Sequence, residues 1–219
     1  LNRPDIANAM NTRMGEELYE LWRGFYVDQE DIRCILLTGS GDRIFCAGAD
    51  LRERNGMTDT QWQQQHALFE QMVMAQSDVP VPIIAAVNGA CYAGGFEMTL
   101  ACDFVYATRK AKFALTEVTL GIMPGAMGTQ NLPRAVGIRR AKEIILTGTP
   151  FSAEQGYDWG VVNKVCDEGT LMEEALAAAQ RICDNAPIST RQAKKSMNMS
   201  MQVDVRSGYM FELEAYNRM

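Results

Sequence analysis

Residues 82–88 form an apolar run that stops at Gly89. The chain then passes through Ala90-Cys91-Tyr92-Ala93-Gly94-Gly95 into a helical stretch at 96–102 and returns as a strand at 103–107. A buried strand, a glycine turn and a helix in such quick succession admit few folds. The helix must pack back on a sheet, because neither element alone can bury its apolar face. The same sequence of strand, turn and helix recurs over the first two thirds of the chain. Residues 32–38 read as a strand ending at Gly39-Ser40-Gly41-Asp42, Ile44-Phe45 as a strand end before a small-residue turn, and 161–165 as another short strand. Helices are predicted at 11–28, where Met14, Leu18, Trp22 and Phe25 recur at helical spacing, and at 60–77, with Gln63, Gln64 and Gln65 on its polar side. Further helices are predicted at 125–136 and 139–146, and Ser152 three residues before Gln155 reads as a capping box. From residue 170 onward the pattern is helical with a break at Pro187, which predicts an α/β core at 1–185 and a helical appendage at 186–219.

Hydrophobic residues make up 47% of the 219, enough for a sizeable core. The formal charge of −6 argues against a dedicated nucleic-acid binder, which carries a basic face. The six cysteines include no Cys-x-x-Cys pair and none lies near the single histidine, His66, so no zinc site is expected and the thiols read as free. No apolar run reaches the ~18 residues of a membrane span. The chain begins at Leu1-Asn2-Arg3-Pro4 without Met, so a natural start further upstream is expected.

Two glutamates stand in unusual frames. Glu97 lies in the first turn of the helix that follows Gly94-Gly95. Glu117 lies in Leu115-Thr116-Glu117-Val118-Thr119-Leu120-Gly121, ahead of Pro124-Gly125-Ala126-Met127-Gly128-Thr129-Gln130. A glycine turn opening a helix aims free N–H groups and the helix dipole at negative charge. Cys46-Ala47-Gly48-Ala49-Asp50-Leu51 is a second small-residue turn, whose Ala49 amide is a candidate second donor. Carboxylates facing amide donors can move protons while an oxyanion is held. Plainer readings stand beside each: a tight turn with no ligand, a carboxylate that only complements a helix dipole, a rim glutamate in a loop. His66 reads as a surface or satisfied histidine, and Met72 and Met74 as core filler. No P-loop, no Gly-x-Gly-x-x-Gly and no Gly-x-Ser-x-Gly elbow occurs.

In order along the chain, Asn2-Arg3-Pro4, Asn8-Ala9-Met10, Leu36-Leu37-Thr38-Gly39, the 46–51 turn, Ala85-Ala86-Val87-Asn88-Gly89, Gly94-Gly95-Phe96-Glu97, Ala101-Cys102-Asp103, Glu117 to Gly121, Pro124-Gly125, Gly128-Thr129-Gln130 and Leu146-Thr147-Gly148 together closely resemble the enoyl-CoA hydratase/isomerase (crotonase) superfamily. The resemblance implies a crotonase-like α/β spiral of β-β-α units with a helical trimerisation region at the C-terminus, assembled as a homotrimer or a dimer of trimers. It implies an acyl-CoA thioester substrate, and no metal or other cofactor beyond the coenzyme A of that substrate. By motif match, the amides of Ala49 and Gly94 would hold the thioester oxygen, and Ala49, Asp50, Leu51 and Arg52 would line the CoA channel. Glu97 would activate water and Glu117 would deliver the proton to C2. The implied reaction is syn hydration of a 2-enoyl-CoA to a 3-hydroxyacyl-CoA, in the cytoplasm of a bacterium or the mitochondrial matrix of a eukaryote.

The alternatives are a Δ3-Δ2 enoyl-CoA isomerase or another crotonase reaction, and, as a different class, a CoA- or RNA-binding member without catalysis. Retention of both glutamates favours the hydratase, and the acidic charge disfavours RNA. The chain departs from the family pattern at Ala93, Met127 and Asn131, where two glycines and an arginine are common. Ala93 is expected to keep a negative φ. Met127 and Asn131 are expected to reshape the acyl pocket or a subunit contact.

Overall fold

The computed structural model describes residues 1–29 and 31–218. Its strands are short and enter two sheets by alternation. β1 (Ile35–Thr38), β3 (Ile83–Val87), β5 (Phe104–Thr108) and β8 (Lys164–Cys166) form one sheet in the order β1-β3-β5-β8, all parallel. β2 (Ile44–Cys46), β4 (Ala90–Tyr92), β6 (Lys112–Ala114) and β7 (Phe151–Ser152) form the other in the order β2-β4-β6-β7, with only β7 antiparallel. Each β-β pair thus gives one strand to each sheet before the chain enters a helix. Repetition of that step is the predicted spiral of β-β-α units. β3 is central and buried at every position, as expected of a parallel strand covered on both faces.

The helices begin and end where local chemistry says they should. α1 (Thr12–Val27) is capped by the Asn11 side chain accepting from the Met14 N–H. Between the first two β-β pairs run α2 (Leu51–Arg54), capped by Asp50, and α3 (Asp59–Asp78), opened by a capping box between Thr58 and Gln61. α4 (Gly94–Leu100) follows β4 directly. α5 (Gly128–Val136) and α6 (Ile138–Thr147) follow the 117–120 3₁₀ turn. α7 (Ala153–Trp159) starts at the predicted Ser152–Gln155 capping box, and both reciprocal hydrogen bonds are present. α8 (Leu171–Cys183), α9 (Pro187–Ser200) and α10 (Val205–Tyr216) complete the chain. Met219, the last residue of the predicted helical appendage, lies outside the described residues. No helix among the described residues is long and apolar enough to cross a membrane.

Three expectations are corrected. Residues 90–92, read as part of a turn, are strand β4 of the second sheet. Met74 is 55% exposed, whereas Met72 is fully buried as expected. Gln65, assigned to the polar face, is buried and takes three polar partners. It donates to Thr12 Oγ1 and Glu53 Oε2, each at 2.8 Å, and accepts from Arg54 Nε at 2.8 Å. An amide so satisfied can sit inside, because its hydrogen bonds with water have been replaced.

α9 is fastened to the first sheet by one buried cation. Lys194 Nζ donates to Asp103 Oδ2 at 2.8 Å and to the Val81 carbonyl at 2.9 Å, while the same Asp103 oxygen accepts the Ile83 N–H at 2.7 Å. Asp103 is partly open to solvent, so loss of the lysine costs about 1–3 kcal/mol, the worth of hydrogen bonds made by a charged group, rather than the larger penalty of a stranded buried charge. Lys194→Ala is therefore expected to lower stability by about that amount in urea melts. A midpoint within error of wild type would show that the pair does not hold the helix down.

Candidate active site

Two turns meet at the ends of β2 and β4. A Cβ added at Gly95 would lie 2.6 Å from both Cβ and the carbonyl oxygen of Cys46, so only glycine lets these backbones touch. A Cβ on Gly48 would lie 3.3 Å from the Gly94 nitrogen, which places the Ala49 turn against the start of α4. The Ala49 turn is strapped from outside by the N-terminal segment. Met10 N–H donates to the Gly48 carbonyl and Asp50 N–H to the Met10 carbonyl, both at 2.8 Å, as a parallel bridge around Ala49. Among the described residues, neither the Ala49 nor the Gly94 N–H has an acceptor in the protein.

Ala93 does not keep the expected negative φ. It sits at φ 49°, ψ −128°, a conformation that costs a non-glycine residue about 1–3 kcal/mol. The surroundings enforce it. Ala93 N–H donates to the Ala114 carbonyl at 2.9 Å, and the Ala93 carbonyl accepts from both Phe96 and Glu97 N–H. The turn leaves the next amide, Gly94, without a partner.

Glu97 is buried, and its Oε1 accepts two main-chain hydrogen bonds, from Ala126 N–H at 2.8 Å and Gly128 N–H at 2.9 Å. Burial raises its pKa, and the two amides oppose that rise by favouring the carboxylate. A Cβ on Gly128 would lie 2.7 Å from Glu97 Oε1, so the residue that donates must be a glycine. Met127 takes the left-handed φ of 70° that turns the Gly128 N–H inward, and its side chain packs on the main core. These amide holders escape a search for functional side chains. The spaced glycines of the 125–128 turn are their only trace in the sequence.

Glu117 opens the 3₁₀ turn Glu117–Leu120 and is also buried, and its Oε2 has no hydrogen-bond partner. Desolvation first, and then the nearby Glu97 charge, push its pKa up to about 7 against the help of its own main-chain N–H. The two glutamates, distant in sequence, thus share one electrostatic environment. Of the two, Glu117 is the one whose protonated form is favoured near neutral pH, because its Oε2 has no partner whereas Glu97 Oε1 accepts two main-chain N–H groups. A folded-state pKa raised above the ordinary carboxylate value makes the protonated form the stabilising one. That stability is complete below about pH 4.5 and is lost as pH rises through about 7. The urea midpoint of wild type is expected to fall between pH 5 and pH 8, and Glu117→Gln is expected to flatten that fall. An unchanged slope in the variant would place the titration on another group.

The residues expected to line a CoA channel divide. Asp50 is turned inward: it caps α2 through the Arg52 N–H and pairs with Arg3 at 3.0 Å. Leu51 is 56% exposed, Arg52 is exposed and Ala49 is half-buried. His66 is satisfied by Glu70, 3.1 Å from its Nε2, and stacks on Trp62. All six cysteines are free. Among the described residues, no group of three or more histidine, cysteine, aspartate or glutamate side chains is placed to hold a metal ion.

The family model described as Enoyl-CoA hydratase/isomerase matches residues 1–218. The mitochondrial enoyl-CoA hydratase of Pongo abelii is 37% identical over 216 residues, covering 99% of this chain and 73% of that protein. The short-chain-enoyl-CoA hydratase of Clostridium acetobutylicum is 35% identical over 216 residues, covering 99% and 82%. The crystal structure of an enoyl-CoA hydratase from Bacillus anthracis superposes with a TM-score of 0.96 at 40% identity, covering 99% of this chain and 84% of that one.

Proposed function

Because the chain belongs to the enoyl-CoA hydratase/isomerase family, we propose that it hydrates 2-enoyl-CoA thioesters to 3-hydroxyacyl-CoA by syn addition of water. One observation carries the reading. A carboxylate whose Oε1 accepts two main-chain amides shares its environment with a buried carboxyl whose Oε2 has no partner and whose pKa lies near 7, at a fold position where two amides lack acceptors.

The thioester oxygen sits between the Ala49 and Gly94 N–H groups. Their hydrogen bonds strengthen as electron density moves onto that oxygen, which stabilises the enolate-like transition state. Glu97 accepts a proton from water as the oxygen bonds to C3. The C2–C3 π electrons move toward the carbonyl, and protonated Glu117 delivers its proton to C2. One proton is taken by Glu97 and one given by Glu117, so the pair is restored when a proton returns between them. Main chain at 49–52, with the exposed Leu51 and Arg52 side chains, contributes the CoA contacts. The protein, the thioester and one water supply every atom and proton of these steps. The division into a 1–185 core and a 186–219 helical region belongs to the same reading. So does a trimer or dimer of trimers, supported by apolar side chains left exposed at Met197, Tyr209, Met210 and Tyr216.

The test is a spectrophotometric screen of 2-enoyl-CoA thioesters that follows loss of the conjugated absorbance. Turnover of a short-chain substrate is expected, with an alkaline limb in kcat near pH 7 where Glu117 loses its proton. No loss of absorbance across chain lengths would overturn the hydratase reading.

A further inference from the structure

Between Met123 and Gly125 the main chain makes no hydrogen bond among the described residues, yet the next amide, Ala126, must reach Glu97 to within 2.8 Å. Something else has to hold this turn. Pro124 does so from within: a Cβ on Gly128 would lie 3.1 Å from its Cβ. From without, the neighbour is His66 on α3. A Cβ added at Gly125 would lie 2.3 Å from His66 Cε1 and 2.7 Å from Nε2, so the imidazole occupies the space a side chain would need and lies in contact with the glycine backbone. The ring is fixed on two sides. It stacks on Trp62 at 5.1 Å between centroids, with planes 20° apart, and its Nε2 meets Glu70 Oε1 at 3.1 Å. α3 itself is anchored through buried Phe69, Met72, Val73 and Gln76.

We propose that His66 is a positioning residue for the general base: pressed against Gly125, it holds the 124–128 turn where the Ala126 N–H reaches the Glu97 carboxylate. The charged groups around this contact are Glu70 on the imidazole, Arg54 over the Trp62 ring, and Glu117, whose carboxyl feels the Glu97 charge. Loss of the ring lets the turn relax outward, lengthens the Ala126 hydrogen bond and leaves the buried Glu97 carboxylate less well stabilised. A relaxed turn misplaces the base without touching the CoA contacts, so turnover should suffer and substrate affinity should not.

The inference rests on Glu97 being the base, and the decisive readout is taken on its carboxyl, so the two can fail separately. Glu97 is titrated by carbon-13 NMR in glutamate-labelled protein, with Glu97→Gln assigning the signal, in wild type, His66→Ala, Gly125→Ala and the double variant. Each single variant is expected to titrate Glu97 at higher pH and to lower kcat about tenfold with KM within about twofold. The double variant has room for the new methyl where the ring was, and it is expected to titrate nearer wild type than Gly125→Ala does. A purely electrostatic role for His66 would leave Gly125→Ala unshifted and make the effects additive. Either result, or a wild-type titration in His66→Ala, overturns the proposal. Should Gly125→Ala fail to fold by circular dichroism, the His66→Ala titration decides alone. A wild type that hydrates nothing would sink the hydratase reading and leave the titration to judge this one.

Discussion

Glu117→Gln is expected to lower kcat for hydration by at least about 10²-fold while leaving the KM for the thioester within about twofold. The buried Oε2 of Glu117 has no partner in the protein, and its pKa is pushed up to about 7. An unpaired buried polar atom costs stability, so its retention points to a use for that oxygen. Glutamine keeps the size and removes the acid, because an amide cannot deliver a proton to C2. The substrate is still bound by the amides of Ala49 and Gly94 and by the CoA contacts, so the loss falls on the chemical step. The residual activity should also lose the alkaline limb near pH 7, since the group that titrates there is gone. Turnover close to wild type, or an alkaline limb that persists in the variant, would remove Glu117 from the proton transfer.

The parts of this site differ in how visibly they are written in the chain. The two glutamates and the glycine turns that frame them are legible, because a carboxylate beside small residues is chemically conspicuous. Their holders are not. Ala126 and Gly128 act through main-chain N–H groups, which every non-proline residue has, so no side-chain pattern announces them. The same holds for Met10, whose main chain straps the Ala49 turn. Long capped helices follow from local rules, as the Asn11 and Ser152 caps do. β4 has three residues between two turns, too few for alternation to register, and it exists because β2 and β6 pair with it on either side. Gln65 misled for a related reason: polarity predicts exposure only until Thr12 on α1 and Glu53 and Arg54 on α2 supply partners. Ala93 is the sharpest case. An alanine argues for negative φ, and the hydrogen bonds to Ala114, Phe96 and Glu97 override it at the residue that precedes a free amide.

Glu97→Gln separates hydration from isomerisation, and it is expected to abolish most hydration of a 2-enoyl-CoA. Both reactions need the thioester oxygen stabilised and a proton moved at C2. Only hydration also needs a water held and deprotonated at C3. Glu97 suits that task because Ala126 and Gly128 favour its ionised form even though burial opposes it. Glutamine can still accept both amide hydrogen bonds through its carbonyl oxygen, so the 124–128 turn should stay in place and the fold should be unaffected. What is lost is the negative charge and the base. Hydration is expected to fall by about 10²-fold or more with substrate affinity nearly intact, the pattern of an interaction made chiefly in the transition state. Crotonyl-CoA and a 3-enoyl-CoA are assayed side by side with wild type and variant. A variant that hydrates as well as wild type would take Glu97 out of the reaction. A wild type that converts only the 3-enoyl substrate would replace the hydratase reading with the isomerase one, since C2 chemistry on Glu117 would then suffice and no water would need a base.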